Sequence, residues 1–366
     1  MTAPDILAII LDDARASDWS ALPETQRLIG GTWLSRFTIN TPLCAPNRST
    51  LLTGRYAHNH GVLRNSHPRG GWPMFRPNED RTIATLMQAA GFHTALAGKY
   101  LNRYVGGRQP PGWSTFYVPL PPSYGVQQER IADRVIQLVS VDRTEPLLIW
   151  YTPKAPHGPV DGVKKAVDLR PRDYDSYDAA RREKLTRVDQ RVVEIAAAMG
   201  TRWDQAVVIV CSDNGYLLGE HGLVGKGQPW REATNVPALV RLPSLAPGTD
   251  ERLIGSVDVA PTILRAAGIE PPEWMDGIPI QDGRARDAIL IEGWPDGDPA
   301  WRGLRTTDGR LYVERSGKSP AIYDASETVN LIATTDPMEV AALSERLAAL
   351  VACSGAECAE KPGESR

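Results

Sequence analysis

The stretch Ile6-Leu7-Ala8-Ile9-Ile10-Leu11-Asp12-Asp13 decides the fold of this 366-residue chain. Its first six residues form a continuous apolar run, partly β-branched, which is typical of a strand buried on both faces of a parallel sheet. Two aspartates follow at the carboxyl end of the run. On its own, such a pair is more often a helix cap and a solvated charge than a metal site, so its meaning depends on the rest of the chain.

Outward from this run, strand-like and helix-like segments alternate, which predicts an α/β fold with a mostly parallel central sheet and helices on both faces. Further strands are predicted at residues 92–97, 146–151, 206–211 and 236–241. Helices are predicted at residues 24–30, 46–53, 82–90, 129–139, 179–199 and 257–267. Residues 106–125 and 160–178 are predicted to be loops.

The pattern changes near residue 285, where short alternating segments predict a small antiparallel sheet closed by a terminal helix at residues 338–351. Asp308-Gly309 is a hairpin-turn signal within it. The predicted strands cover residues 288–292, 304–306, 311–314 and 321–323. We therefore predict a large α/β domain over residues 1–284 and a small α+β subdomain over residues 285–366 packed on it.

The overall charge excludes some partners. Lys and Arg number 41 against 44 Asp and Glu, a net charge of −3, so neither nucleic acid nor a membrane surface is indicated. No apolar run approaches the roughly 20 residues of a membrane-spanning helix, and the first apolar run ends in acids, unlike a signal peptide. As written, the chain is expected in the cytoplasm.

Four cysteines are too few for a disulfide framework. Cys211 ends an apolar run and is predicted to be a core residue. Cys353 and Cys358 lie near enough in sequence to pair, but we favour free thiols.

The informative polar residues follow the predicted strands. Because ligands of such sheets bind at the carboxyl ends of the strands, these residues should meet in one crevice. Carboxylate and amide oxygens suit Ca²⁺ or Mg²⁺ better than zinc, and three carboxylates would repel one another without a cation. The residues concerned are Asp12, Asp13, Lys99, His157, Asp213 and Asn214.

The first strand is followed by Leu43-Cys44-Ala45-Pro46-Asn47-Arg48-Ser49-Thr50-Leu51-Leu52-Thr53-Gly54-Arg55. Pro46 and Gly54 suit the start and end of a helix, which places Cys44 at its positive end and Arg48 one turn later. A buried thiol before an ordinary helix is the common interpretation. The full spacing of Cys, Pro, Arg, Ser, Thr and Gly is much rarer.

Taken singly, Lys99 and Lys226 are ordinary surface or loop lysines, and His157 is an ordinary structural histidine. Beside Arg48 and a divalent cation, the lysines would form a cationic cradle for a tetrahedral oxyanion. His157 adds a group that exchanges a proton near neutral pH. The set predicts metal-assisted hydrolysis of a sulfate or phosphate ester.

In this order, the motifs resemble the type I, formylglycine-dependent sulfatases of the alkaline-phosphatase-like superfamily, in particular the N-acetylglucosamine-6-sulfatase and arylsulfatase branch. The resemblance covers roughly residues 5–265 and makes residues 1–284 the catalytic domain. It rests on Asp12-Asp13, the motif at 44–54, Gly98-Lys99-Tyr100, Ala155-Pro156-His157, Ser212-Asp213-Asn214-Gly215 and Gly225-Lys226. It implies cleavage of a sulfated sugar or an aryl sulfate.

The resemblance also implies roles for the residues. A separate maturase converts the motif cysteine, here Cys44, to formylglycine (3-oxoalanine), whose hydrate attacks sulfur with one hydroxyl and releases sulfate through the other. Arg48 steadies the formylglycine, Lys99 and Lys226 bind sulfate oxygens, and His157 gives a proton to the leaving alcohol or binds sulfate. The implied ligands of one Ca²⁺ or Mg²⁺ ion are Asp12, Asp13, Asp213, Asn214 and the modified Cys44.

One position departs from the family pattern. Leu101 stands where many sulfatases have a histidine that assists release of sulfate, which leaves the base undefined. Candidates to replace it are Asn102, His58, His60 and His221. Two other functions remain open, a phosphonate monoester or phosphodiester hydrolase on the same scaffold and a non-catalytic carbohydrate-binding or metal-binding homologue.

Overall fold

A computed structural model of the protein describes residues 3–66, 68–119, 124–157 and 169–359. Its strands are β1 (Ile6–Leu11), β2 (Thr32–Leu34), β3 (Phe37–Thr38), β4 (His93–Gly98), β5 (Thr115–Tyr117), β6 (Leu147–Thr152), β7 (Val207–Ser212), β8 (Leu217–Leu218), β9 (Val224–Gly225), β10 (Ala238–Arg241), β11 (Gly248–Asp250), β12 (Ile254–Gly255), β13 (Ala288–Gly293), β14 (Trp301–Thr306), β15 (Leu311–Arg315) and β16 (Ala321–Tyr323). Its α-helices are α1 (Pro23–Ile29), α2 (Cys44–Thr53), α3 (Ala57–His60), α4 (Gly71–Phe75), α5 (Ile83–Ala89), α6 (Tyr124–Ser140), α7 (Tyr174–Met199), α8 (Arg202–Gln205), α9 (Arg231–Thr234), α10 (Val259–Ala266) and α11 (Pro337–Ala352).

The central sheet has the strand order β11-β2-β10-β7-β1-β6-β4-β5. The five strands from β7 to β5 are parallel, whereas β10 runs antiparallel to both β7 and β2. Every residue of β1 is buried, as the continuous apolar run predicts. The predicted mostly parallel sheet is therefore confirmed.

Helices cover both faces of this sheet because alternate residues of each strand point to opposite sides. Ile6, Ala8 and Ile10 pack in one core with residues of α2, α5 and α10. Leu7 and Ile9 pack in the other core with residues of α1, α6 and α7. Within the described ranges, no helix has both the length and the apolar character needed to cross a membrane.

The C-terminal strands β13 to β16 form a separate antiparallel sheet in sequential order. Gly309 in the β14–β15 turn has a φ of +88°, which glycine adopts easily and which explains the Asp-Gly turn signal. One face of this sheet packs against Leu347 and Leu350 of α11, and Tyr56 and Val257 of the large α/β region join the same core. The predicted small sheet with a terminal helix is confirmed.

Two loop predictions were wrong in part. Strand β5 lies within the segment 106–125 and pairs with β4. The sequence did not predict this strand because three residues are too few for an alternating pattern to stand out. Helix α7 begins at Tyr174, inside the segment 160–178. The prediction missed this start because the polar first turn of the helix gives no apolar periodicity. Residues 120–123 and 158–168 of these segments lie outside the described residues.

The expectation of free thiols at Cys353 and Cys358 was wrong, since the two form a disulfide. Helix α11 ends at Ala352, and the short helical turn Gly355–Ala359 brings the two Cα atoms to 5.1 Å, within the range that a disulfide requires. Cys44 and Cys211 are free and buried. Disulfides are uncommon in a reducing cytoplasm, so this one does not favour the predicted cytoplasmic location. The location stays a prediction.

Replacing both Cys353 and Cys358 by serine should lower the free energy of unfolding by about 2 kcal/mol, because the crosslink restricts a short loop of the unfolded chain. Urea unfolding of the variant and of the oxidised wild type measures the difference. The wild type should lose the same amount in reductant, whereas the variant should not respond to it. Equal stability of the variant and the oxidised wild type would show that the crosslink is energetically neutral.

Candidate active site

The aspartates at the ends of β1 and β7 meet because these strands are neighbours in the sheet. The Asp213 amide donates to the Leu11 carbonyl at 2.9 Å, and the Asp13 amide donates to Asp213 Oδ1 at 3.1 Å. Asp12 and Asp213 are fully buried, and Asp13 is 4% exposed. Residues about 200 positions apart in sequence thereby place three carboxylates in one buried cluster.

Helix α2 begins at Cys44, two residues before the predicted start at Pro46, so Cys44 lies in its first turn. Asn65 Oδ1 accepts a hydrogen bond from the Ala45 amide at 2.8 Å and so satisfies one free donor of the helix N-terminus. The Cys44 thiol lies 2.8 Å from Lys226 Nζ and 3.7 Å from Asp12 Oδ1. Burial, together with the negative charge of Asp213, raises the pKa of this thiol to about 12.

Three cations face the three carboxylates. Arg48 Nε donates to Asp213 Oδ2 at 2.7 Å. Lys99 Nζ donates to both Asp12 oxygens at 2.8 and 2.9 Å, and Lys226 pairs with Asp13. Burial is the strongest single influence on the pKa of Lys99 and would lower it, but the neighbouring negative groups, of which Asp12 contributes most, together outweigh burial and raise the pKa. The six side chains balance one another in charge.

His157 lies at the edge of this cluster because its amide donates to the Asp12 carbonyl at 3.0 Å. Its Nε2 is 3.8 Å from Asp13 Oδ2, and its side chain is 35% exposed. Burial lowers the pKa of His157, although the charges of Asp12 and Asp13 oppose this. The ring therefore lies between the buried carboxylates and the solvent.

The donor set fits a hard divalent cation. One ligand atom each from Asp12, Asp13, Cys44 and His157 lie within 4.8 Å of one another. Asn214 donates to Asp13 Oδ1 at 2.7 Å, while its own Oδ1 is buried and has no hydrogen-bond partner among the residues that the structure describes. An unsatisfied buried amide oxygen beside carboxylates is a ready ligand for Ca²⁺ or Mg²⁺.

The structure brings together all the predicted site residues, which are Asp12, Asp13, Cys44, Arg48, Lys99, His157, Asp213, Asn214 and Lys226. Their assignment as ligands and catalytic groups stays a prediction.

Each of the three histidines that could replace the absent one contacts residues outside the predicted site. Leu101 itself is 4% exposed and belongs to the core beside α2. His58 bonds to Glu292, and His221 stacks on Trp230. The His60 ring bonds to Thr50 Oγ1 and the Val62 amide. Asn102 Oδ1 is buried and has no hydrogen-bond partner within the described part of the chain.

The contacts of His60 predict a pH dependence of stability. Val62 donates to His60 Nδ1, so Nε2 carries the proton that the ring donates to Thr50 Oγ1. Burial, with a contribution from Arg55, lowers the pKa of His60 to about 3. Between this value and the unfolded value near 6.5, the unfolded chain binds the proton and the folded chain does not. Stability should therefore fall with decreasing pH in that range, by about 1.4 kcal/mol per unit.

Urea unfolding at pH 7, 6 and 5 tests this pH dependence. A His60→Gln variant should show a flatter profile than the wild type, since glutamine does not titrate. The variant His93→Gln serves as a comparison. Burial and Arg143 also lower the pKa of His93, but this ring is partly exposed on β4, so the variant should change the profile less than His60→Gln does. A wild-type profile that is flat, or that His60→Gln does not change, would contradict the prediction.

Sequence reasoning missed three residues that support the cluster. Asn65 caps α2, as described above. Lys154 interacts electrostatically with Asp12 and Lys99, and burial lowers its pKa. Arg181 on α7 donates to the Asp13 carbonyl. A sequence signal existed for Arg181, because it lies four residues before Leu185 and so on the apolar face of the helix.

A cavity of about 330 Å³ opens beside Lys226. Its walls come from the start of α2, the segment before α9 and the segment that links β13 to β14. The residues lining it are Leu43, Asn65, Leu217, Leu223, Val224, Lys226, Gln228, Pro295, Asp296 and Asp298. A partly polar cavity next to the cluster offers space for the alcohol part of an ester.

The chain is similar in sequence to proteins of other organisms. The chain is 29% identical to the extracellular sulfatase SULF-1 homolog of Drosophila melanogaster over 80% of its own length and 32% of that protein, so it spans about a third of this relative. It is 25% identical to human N-acetylglucosamine-6-sulfatase over 97% of its length and 86% of that protein.

Solved structures share the fold. The complex of BT4656 with its substrate D-glucosamine-2-N,6-O-disulfate has a TM-score of 0.72 and 19% identity, covering 96% of this chain and 97% of that one. The phosphonate monoester hydrolase of Agrobacterium radiobacter has a TM-score of 0.77 and 20% identity, covering 95% of each chain. The family model for sulfatases matches residues 4–269, which is well over half of the chain, and the protein therefore belongs to the sulfatase family.

Proposed function

We propose that this protein hydrolyses sulfate monoesters with a formylglycine made from Cys44 and one bound Ca²⁺ or Mg²⁺ ion. The observation that carries the proposal is the position of Cys44. Its thiol lies in contact with Lys226 and within 4.0 Å of carboxylate oxygens of both Asp12 and Asp13. A reactive group at this position would therefore lie next to both proposed metal ligands and a cation.

The charge of the cluster favours a sulfate ester as ligand. Its three carboxylates and three cations cancel, so a bound divalent cation would leave two positive charges for the ester and the released sulfate. The ion would be held by Asp12, Asp13, Asp213 and Asn214, whose oxygens are the hard donors that Ca²⁺ and Mg²⁺ prefer. When bound, it supplies Lewis acidity toward oxygen.

Conversion of Cys44 is proposed because sulfur is a poor match for these hard ions. A hydrated aldehyde would supply two oxygens, one to attack sulfur and one to release the sulfate. We infer that a maturase carries out the conversion. Arg48, fixed by Asp213, would hold the modified side chain.

The remaining side chains bind the ester and move one proton. Lys226, in contact with Cys44, and Lys99, bonded to Asp12, present ammonium groups that would hold sulfate oxygens. His157, at the exposed edge, would donate a proton to the leaving alcohol from Nε2. The cavity beside Lys226 would take that alcohol.

We propose a sulfated saccharide as the substrate class. The human relative is named N-acetylglucosamine-6-sulfatase, and one structural neighbour was solved with a sulfated glucosamine. Asn65, Gln228, Asp296 and Asp298 in the cavity wall provide hydrogen-bonding groups of the kind that bind sugar hydroxyls. Aryl sulfates are the second choice, since any alcohol that fits the cavity can leave.

A phosphonate monoester hydrolase is the second candidate function, because a structural neighbour carries that name and a cationic cradle accepts phosphorus and sulfur oxyanions alike. Steady-state rates on aryl sulfate, aryl phosphate and aryl phosphonate esters with the same leaving group separate the two. Faster hydrolysis of the sulfate is expected, whereas faster hydrolysis of the phosphonate would overturn the proposal. Binding without turnover by protein carrying formylglycine would support a non-catalytic homologue.

The mass of the peptide that contains Cys44, measured on protein from its native source, tests the nucleophile. The aldehyde or its hydrate is expected. Unmodified cysteine in active native protein would overturn the formylglycine assignment.

A further inference from the structure

We propose that Arg181 is a positioning residue that tunes the affinity of the site for its divalent cation by fixing the backbone of Asp13. This inference rests on the metal site of the proposed function. Arg181 lies on α7, 168 residues after Asp13 in sequence. It contacts the backbone carbonyl of Asp13 and not the carboxylate that is proposed to bind the ion.

Asp13 needs such a support because its backbone is unusual. Its φ is +69°, in the left-handed region that residues other than glycine seldom adopt. The conformation turns the chain away from β1 and aims the Asp13 carboxylate at Lys226 and Asn214. A shift of this backbone would therefore move a proposed metal ligand.

Hydrogen bonds hold the backbone of this turn at three atoms. The Asp13 amide donates to Asp213 Oδ1, and the next amide, of Ala14, donates to Ser212 Oγ at 2.9 Å. These bonds tie the turn to the end of β7. Arg181 Nη2 donates to the Asp13 carbonyl, which fixes a third backbone atom of the turn.

Arg181 is itself fixed in place. Its side chain is 2% exposed and donates to Asp18 Oδ2 at 3.2 Å and to Asp178 Oδ1 at 3.3 Å. Its guanidinium carbon lies 5.3 Å from the centre of the Tyr216 ring. A buried arginine with two carboxylate partners and an aromatic support presents its donor to Asp13 at a defined position.

The test compares Arg181→Met and Arg181→Lys with Arg182→Met in the full-length protein. Arg182 is the control because it is the next residue of α7 and also bonds to Asp178, whereas its other hydrogen bond goes to Ser20 and its side chain is 39% exposed. Calorimetric titration with Ca²⁺ or Mg²⁺ alone measures the affinity. Arg181→Met should weaken it about 10- to 100-fold, Arg181→Lys by less, and Arg182→Met less than about twofold.

The melting temperature in chelator separates positioning from a purely structural role. A structural role would lower the melting temperature of Arg181→Met and leave the metal dissociation constant of the folded protein unchanged, which would overturn the inference. If Arg181→Met does not fold, Arg181→Lys decides, and wild-type affinity there overturns the inference too. Failure of the wild type to bind either ion would instead refute the metal site of the proposed function.

Discussion

Replacing Cys44 by serine is expected to reduce steady-state hydrolysis of an aryl sulfate by at least about 10⁴-fold, because the nucleophile would then act only once. A serine hydroxyl can attack sulfur and release the alcohol, but it has no second hydroxyl on the same carbon to expel the sulfate. The enzyme should therefore stop after one turnover. Intact-protein mass spectrometry after incubation with substrate should show the added mass of one sulfuryl group.

The variant Cys44→Ala is the matched control, since it removes the nucleophile with little change in buried volume. It should show neither turnover nor added mass. Circular dichroism and the melting temperature establish that both variants fold. Wild-type turnover by Cys44→Ser in a host without the maturase would contradict the need for a formylglycine.

Replacing Asp12 by asparagine is expected to have the second-largest effect. Asp12 is fully buried, receives both hydrogen bonds of Lys99 and lies 3.8 Å from Arg48. The change leaves two carboxylates against three cations, so a divalent ion would enter a site of net positive charge. We expect the affinity for Ca²⁺ or Mg²⁺ to fall more than about 100-fold and the turnover by about 10³-fold.

Calorimetry with each ion and steady-state rates at saturating metal measure these two effects. The variant Asp133→Asn is a suitable control because it removes a carboxylate that is 54% exposed and pairs with Arg191 on the surface. It should match the wild type in both measurements. Unchanged metal affinity in Asp12→Asn would remove Asp12 from the proposed ligand set.

Much of the site could be predicted because a parallel sheet imposes its own geometry. Once residues 6–11 and 206–211 are assigned as buried neighbouring strands, Asp12 and Asp213 have to end at the same edge. The spacing of Cys44 and Arg48 then follows from one turn of helix. These inferences need only the period of each element and the direction of its chain.

The rest depends on contacts that no local pattern encodes. The Cys353–Cys358 disulfide requires knowing where α11 ends, and the capping of α2 by Asn65 requires the path of an irregular segment. Arg181 could be recognised as a charge at a core position of α7, but its partner, the Asp13 carbonyl, could not. Long-range side-chain contacts to the backbone leave no trace in sequence periodicity.

The position of β1 at the centre of the sheet means that the cluster can form only late in synthesis of the chain. Its partners β6 and β7, and then Lys226, are encoded far downstream, so the ribosome makes about 180 residues after Cys44 before the cluster can close. At about 5–20 residues per second, this takes roughly 10 to 40 s. During that interval the cluster that surrounds Cys44 is incomplete, whereas in the folded protein the residue is 1% exposed. Slow translation of residues 45–226 would extend the time in which a maturase could reach the cysteine.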